Sequence, residues 1–230
     1  CHDVAMSPPA PPSHAFARAG ALREEYAATD WAAGPLGDPV GWSPALRASL
    51  DLIWGTRFAA TLLWGPELVL LYNEAFVQLI ADKHPAALGR RTQDVFAEAW
   101  DQIGPMMRSV VEDAAPTWVV DAEVPLQRSG FLEECYFTFS YSPVRGPDGR
   151  VEGVVDIVTE TTRQVVARRR LQVLTRLDQA LAGVSSAAVL VDLAVRELRE
   201  DPGDLPEVVV CSGAVADPVV LESIGGPGQG

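Results

Sequence analysis

The sequence predicts an α+β protein: a five-stranded antiparallel sheet, a belt of short helices on one face, and a long helix leaving the last strand. Three observations predict it. Between Glu133 and Thr162 two long strands are joined by a tight turn and followed at once by a helix. Cys135, Phe137, Phe139 and Tyr141 share one face of the first strand, and Tyr136, Thr138 and Ser140 take the other. That period of two marks a strand with one buried face. The turn Pro147-Asp148-Gly149-Arg150 contains Asp-Gly, which tolerates the positive φ of a primed hairpin turn. Finally, the elements run strand, strand, several short helices, then three strands. Segregated helices argue for an antiparallel sheet, since parallel α/β folds alternate throughout.

Composition bounds the function before any motif does. At 230 residues the chain has room for one sizeable core plus appendages, and 48% hydrophobic content excludes wholesale disorder. The net charge of −13 repels phosphate backbones and anionic lipid, so neither nucleic acid nor membrane is an expected partner. The longest apolar stretch, Ala59 to Tyr72, is interrupted by Pro66-Glu67 and is too short to span a bilayer. The opening residues CHDVAMSPPAPPSH lack the charged start and apolar core of a signal peptide. Cys1, Cys135 and Cys211 lie far apart without paired spacing, which disfavours a disulfide framework or zinc site. A cytoplasmic protein is expected.

Residues 1–20, rich in Pro, Ala and Ser, are expected to be extended or disordered. Residues 21–56 form an N-terminal cap region. There Ser43-Pro44 starts a helix running to about Trp54, with Leu46, Leu50 and Ile53 on its apolar face and Gly55 closing it. Phe58 to Trp64 and Leu68 to Tyr72 read as strands around Gly65-Pro66. Asn73 caps a helix over Glu74 to Ile80, a loop covers residues 81–92, and helices follow from Thr92 and from Trp100 or Pro105 to Asp113. Thr117 to Leu126 is the third strand, and the hairpin supplies the last two. Residues 163–184 are a linker helix in which Leu174, Leu177, Leu181 and Val184 make a two-heptad seam. Two heptads suit either a coiled coil or a helix packed on its own domain. Residues 185–230 hold a second amphipathic helix, a strand from Leu205 to Cys211 and an unstructured tail ending in GGPGQG.

With that order in hand, residues 57–162 resemble a PAS sensor domain. Asp156-Ile157-Val158-Thr159-Glu160 is similar to the PAS exit motif, with Val158 at the usual Thr position and Thr159 following it. The segments LLWGPELVLLYNEAF, DKHPAALG, WDQIGPM and EECYFTFSYSPVR resemble an actinobacterial subgroup of multidomain sensor histidine kinases and sensor-linked serine/threonine phosphatases. Members of that subgroup often continue into a GAF domain, and residues 171–211 are similar to the start of one. The resemblance implies that Asp156, Ile157 and Thr159 form a signal relay in which Asp156 and a following Thr hold the linker helix to the sheet edge. It also implies a homodimer, joined through the helix before the sheet and through the linker.

Residues that carry chemistry elsewhere have ordinary explanations here. His84 precedes Pro85 in a loop, with no ATP-lid segment after it, so it reads as a histidine making a local hydrogen bond. An axial haem ligand would sit on a belt helix, so haem is disfavoured. No cysteine lies between residues 73 and 116, which removes the thiol that flavin photochemistry in such a belt needs. Cys135 reads as a small core residue. The acidic pairs Glu24-Glu25, Glu133-Glu134 and Asp201 with Asp204 read as solvated surface, not as a phosphatase metal centre. No GxSxG elbow, Walker loop or dinucleotide fingerprint occurs. Neither a catalytic nor a metal-ligating residue is predicted, and the chain is expected not to be an enzyme.

What remains is a pocket. Phe76, Trp100, Ile103, Met106, Met107, Val110, Phe137, Phe139 and Tyr141 are expected to converge between sheet and belt, as a small-ligand site or as a filled core. The functional expectation is a sensory module that binds a small ligand, or mediates dimerisation, and relays the change through the C-terminal helix to an output domain. A histidine kinase is favoured as that output. The alternatives are a metal-dependent serine/threonine phosphatase and a ligand-free dimerisation module.

Overall fold

The computed structural model describes residues 15–199, 207–212 and 219–225. The chain divides into two units, Cys1–Thr162 and Arg163–Gly230. Short 3-10 turns aside, the first unit runs α1 (Arg23–Ala28), α2 (Pro44–Gly55), β1 (Ala59–Trp64), β2 (Val69–Tyr72), α3 (Glu74–Ile80), α4 (Thr92–Val95), α5 (Trp100–Asp113), β3 (Val119–Glu123), β4 (Leu126–Arg128), β5 (Phe131–Glu133), β6 (Tyr136–Arg145) and β7 (Val151–Glu160). Five strands make one antiparallel sheet in the order β2-β1-β7-β6-β3. The late hairpin therefore sits at the sheet centre, where β7 pairs with both β1 and β6.

Local chemistry sets the elements. Ser43 Oγ accepts the Leu46 N–H at 3.2 Å, and Pro44 occupies the first turn of α2, whose Leu46, Leu50 and Ile53 are buried. Asn73, 2% exposed, ties three elements together. Its Oδ1 accepts from Ala60 N and Phe76 N, and its Nδ2 donates to the Ile53 and Phe58 carbonyls. Along β6 the inner face is Phe137, Phe139 and Tyr141, all buried, as the period of two requires.

Three local expectations are corrected. Of residues 147–150 only Gly149 takes positive φ, +81°, so the β6–β7 connection is not a primed two-residue turn. Pro147 fixes its own φ near −65°, and Gly149 N bonds back to Gly146 O at 3.0 Å around Pro147-Asp148. The third strand stops at Glu123, and Pro125 is followed by a separate two-stranded hairpin, β4–β5. Its turn is Ser129-Gly130, with φ of +59° and +87°. Within residues 15–20, Phe16 and Ala19 are buried: Phe16 is 2% exposed, amid Tyr26, Trp31, Trp42 and Trp54 with ring centroids 5.4–6.4 Å away. An aromatic ring of that size gains more by burial than the Pro-rich context suggests. The rest of the predicted disordered terminus, residues 1–14, lies outside the described residues.

The second unit contains α6 (Thr162–Leu181), α7 (Ala187–Arg199) and the antiparallel strands β8 (Glu207–Ser212) and β9 (Val219–Gly225), with α7 against both strands. In α6 the buried residue is Val173, whereas Leu171 and Leu174 are 64% and 61% exposed. Leu177, Leu181 and Val184 are half-buried. The strand expected at Leu205 to Cys211 begins at Glu207. Asp201, Asp204 and the tail from residue 226 lie outside the described residues.

Candidate functional site

Between the inner face of the sheet and the belt lies a cavity of about 60 Å³. Its sheet wall is Thr61 and Leu63 of β1, Asp156 and Val158 of β7, and Phe137, Phe139 and Tyr141 of β6. Its belt wall includes Phe76 and Ile80 of α3, Phe96, and Ile103 and Met107 of α5. Phe76, Ile103, Met107, Phe137, Phe139 and Tyr141 thus meet at the cavity as the sequence places them. Trp100, Met106 and Val110 do not line it. Ile103 and Met107 are four residues apart and share the inward face of α5. Val110 is wholly buried elsewhere in the core, and Met106 lies half-buried on the flank. Trp100 folds over its own helix: a Cβ at Gly104 would lie 2.7 Å from the Trp100 ring.

One carboxyl stands among these walls, whose other polar groups are the hydroxyls of Thr61, Thr92 and Tyr141. Asp156 is 7% exposed and lines the cavity, and its Oδ1 is buried without a hydrogen-bond partner. Its register partners are Thr61 on β1 and Tyr141 on β6. Desolvation pushes the Asp156 carboxyl up to about 8, so the group is largely neutral at pH 7. Burial, and secondarily the Asp156 charge, holds the Tyr141 phenol well above its ordinary range.

The sequence implies a relay of Asp156, Ile157 and Thr159 in which Asp156 and a following Thr hold the helix. The structure instead places Asp156 in the cavity and leaves Ile157 and Thr159 exposed on the outer face. Strand alternation is the reason, because Asp156, Val158 and Glu160 share the inner face. The junction is held by other residues. Arg128 of β4 donates to both carboxylate oxygens of Glu160, at 3.0 and 2.8 Å, to Glu133 Oε2 at 3.1 Å and to the Leu79 carbonyl at 2.7 Å. Thr162 Oγ1 donates to Glu160 Oε1 at 2.8 Å and accepts from Tyr136 N at 3.0 Å. Thr161 N donates to the Tyr136 carbonyl at 2.7 Å. One guanidinium therefore gathers the end of α3, the small hairpin and the end of β7, and Glu160 in turn holds the first residue of α6. The pair is bidentate and, at Arg128, largely buried, the strong form of such an interaction. Glu133, read as surface from its acidic neighbour, belongs to this clamp.

The remaining candidates have structural partners. His84 Nδ1 lies 2.9 Å from the Tyr72 hydroxyl, away from the cavity walls. Cys135 is fully buried, and desolvation raises its thiol above the ordinary value. Among the described residues no group of three His, Cys, Asp or Glu side chains is placed to hold a metal ion, and no helix is long and apolar enough to cross a membrane.

A family model described as "PAS fold" matches residues 59–166. No curated protein matches the chain. Among solved structures, a sensory box sensor histidine kinase from Vibrio cholerae is similar, at 18% identity and a TM-score of 0.36 over 50% of this chain and 90% of that one. The PAS domain of BvgS from Bordetella pertussis is similar at 19% identity and a TM-score of 0.43, over 56% of this chain and 96% of that one. An RNA-binding light-oxygen-voltage receptor is similar at 21% identity and a TM-score of 0.44. That match covers 60% of this chain and 38% of the receptor.

Proposed function

We propose, from the premise that residues 59–166 form a PAS domain, that this domain is the sensor of a signalling protein. A small molecule occupies the cavity, and the resulting shift passes along β7 into α6 and on to an output domain elsewhere in the parent. The observation that carries this reading is the course of β7. The strand supplies Asp156 and Val158 to the cavity wall and ends at Glu160 in the Arg128 clamp, where α6 begins. For a ligand to switch such a junction it must bind two arrangements of it with different affinity.

The favoured output is a sensor histidine kinase, supported by the subgroup resemblance of the segments around Trp64, His84 and Cys135. A metal-dependent serine/threonine phosphatase is the second reading. In either case the present chain acts as a cytoplasmic regulatory region and not as the enzyme. The helix and hairpin of the second unit are in keeping with the entry to a GAF-like domain. Exposed Leu171 and Leu174 on α6 favour a homodimer, which light scattering tests directly.

Hydrogen exchange on the 230-residue chain tests the relay. Met107→Ala, on the belt wall of the cavity, is expected to change exchange at residues 161–165. In the Arg128→Gln background those amides exchange faster, and Met107→Ala leaves them unmoved. An unaltered 161–165 segment in Met107→Ala alone would sink the relay.

A further inference from the structure

We propose that the cavity is a site for a small monocationic amine, its ammonium held by Asp156 and its short alkyl chain buried against Met107, Ile103 and Phe139. The inference deepens the sensor reading and rests on it.

The charge of the ligand follows from what the walls contain. Asp156 and Tyr141 are the titratable side chains of the lining, and no Lys, Arg or His is among them. An anionic ligand would meet no counter-charge and one carboxyl. A neutral apolar ligand would leave the Asp156 Oδ1, which has no protein partner, unsatisfied. An ammonium has three N–H donors. The Asp156 carboxylate and the hydroxyls of its two register neighbours, Thr61 and Tyr141, offer three acceptors. The overall charge of −13 also enriches small cations around the molecule.

Size narrows the class further. An engineered apolar cavity of about 150 Å³ holds benzene. A cavity of about 60 Å³ therefore suits a ligand of a few heavy atoms, with Met107 the most adaptable wall. Short alkylamines meet both conditions.

Binding is coupled to a proton. With the free carboxyl titrating at about 8, the neutral acid must release its proton as the ammonium docks, giving the carboxylate–ammonium pair and one H⁺. Asp156 has Thr61 of β1 and Tyr141 of β6 as its register neighbours, and of the residues that α3 and α5 add to the lining (Phe76, Leu79, Ile80, Ile103 and Met107) none is charged, so Tyr141 is the other titratable group of the cavity. Apparent affinity then scales with the ionised fraction, which rises about fiftyfold from pH 6 to pH 8.

The test uses the full chain with ¹³C-methyl methionine, read by NMR. Met107 lines the cavity and Met106 does not, so one methyl reports occupancy and the other serves as a control. n-Propylamine is expected to shift the Met107 methyl saturably, about fiftyfold more tightly at pH 8 than at pH 6. In Asp156→Asn the affinity at pH 8 falls at least tenfold, and the pH dependence vanishes. The pH dependence in the unmutated chain keeps the test decisive if the variant folds poorly. n-Propanol or propionate binding more tightly than the amine, or the amine binding alike at both pH values, overturns the amine assignment and leaves the sensor reading standing. If no probe of any charge shifts Met107, the small-ligand reading falls with it.

Discussion

Asp156 gives the first unit a stability that declines as pH rises, and Asp156→Asn isolates the effect. In the unfolded chain an aspartate titrates near 3.9, whereas burial raises this one to about 8 in the fold. Below pH 4 both states hold the proton, and the contribution is fully present. Between the two values the native state keeps a proton that the unfolded chain has released, so each pH unit removes about 1.4 kcal/mol of stability. From pH 5 to pH 8 the loss is about 4 kcal/mol, a large share of an ordinary domain's 5–15 kcal/mol. Asparagine has no proton to lose, and every other carboxyl titrates alike in the two proteins and cancels. Urea unfolding followed by tryptophan fluorescence measures it. All six tryptophans fall between Trp31 and Trp118, so the signal reports on the first unit alone. The stability of Asp156→Asn relative to the parent is expected to rise by about 4 kcal/mol between pH 5 and pH 8. Parallel pH profiles for the two proteins would mean a hydrated, ionised Asp156, and the argument from desolvation would fail.

The same assay reads two further substitutions. Asn73→Ala strips partners from the Ala60 and Phe76 amides and from the Ile53 and Phe58 carbonyls, and is expected to cost about 3 kcal/mol; a loss below about 1 kcal/mol would show that water replaces the amide. Gly153→Ala places a Cβ 2.4 Å from Cε3 of Trp64 and 2.9 Å from the Leu63 carbonyl oxygen, where β7 crosses β1. Overpacking of this kind costs about 1–3 kcal/mol and is expected to lower the melting temperature by several degrees, an unchanged value showing that the Trp64 ring swings clear.

The strands that carry the fold were legible because their residues repeat with the period of the structure. Phe137, Phe139 and Tyr141 alternate with polar residues, and Leu46, Leu50 and Ile53 recur at helical spacing behind a Ser-Pro cap. The β4–β5 hairpin was not legible in the same way. Its strands are three residues each, Phe131 and Leu132 are 60% exposed, and no alternation has room to develop. The available signal was the Ser129-Gly130 dipeptide, a turn former, directly after Pro125 had ended the third strand. Phe16 was hidden for another reason. Its burial depends on Tyr26, Trp31, Trp42 and Trp54, scattered over the next 38 residues, and no local pattern announces such a cluster.

The candidate site turns on parity. A motif reading of Asp156 to Glu160 fixes which residues matter but not which face each takes, and a shift of one position along a strand reverses the face. In the sheet Asp156 pairs across from Tyr141, Val158 from Phe139 and Glu160 from Phe137, all on the inner side. Asp156 therefore stands in the cavity wall, and Glu160 is the residue bonded to Thr162 at the start of α6. The consequence is a short path. The cavity carboxyl and the junction carboxyl lie on one face of one strand, four residues and about 13 Å apart. Only Val158 stands between them on that face, and it lines the cavity too. A ligand bound as proposed would thus act on the strand whose next two inward residues are a cavity wall and the Arg128 anchor. Arg128, hidden in a hairpin that local pattern does not reveal, is the residue that holds Glu160 at the end of β7, and in the proposed relay it would carry a displacement of the strand onward.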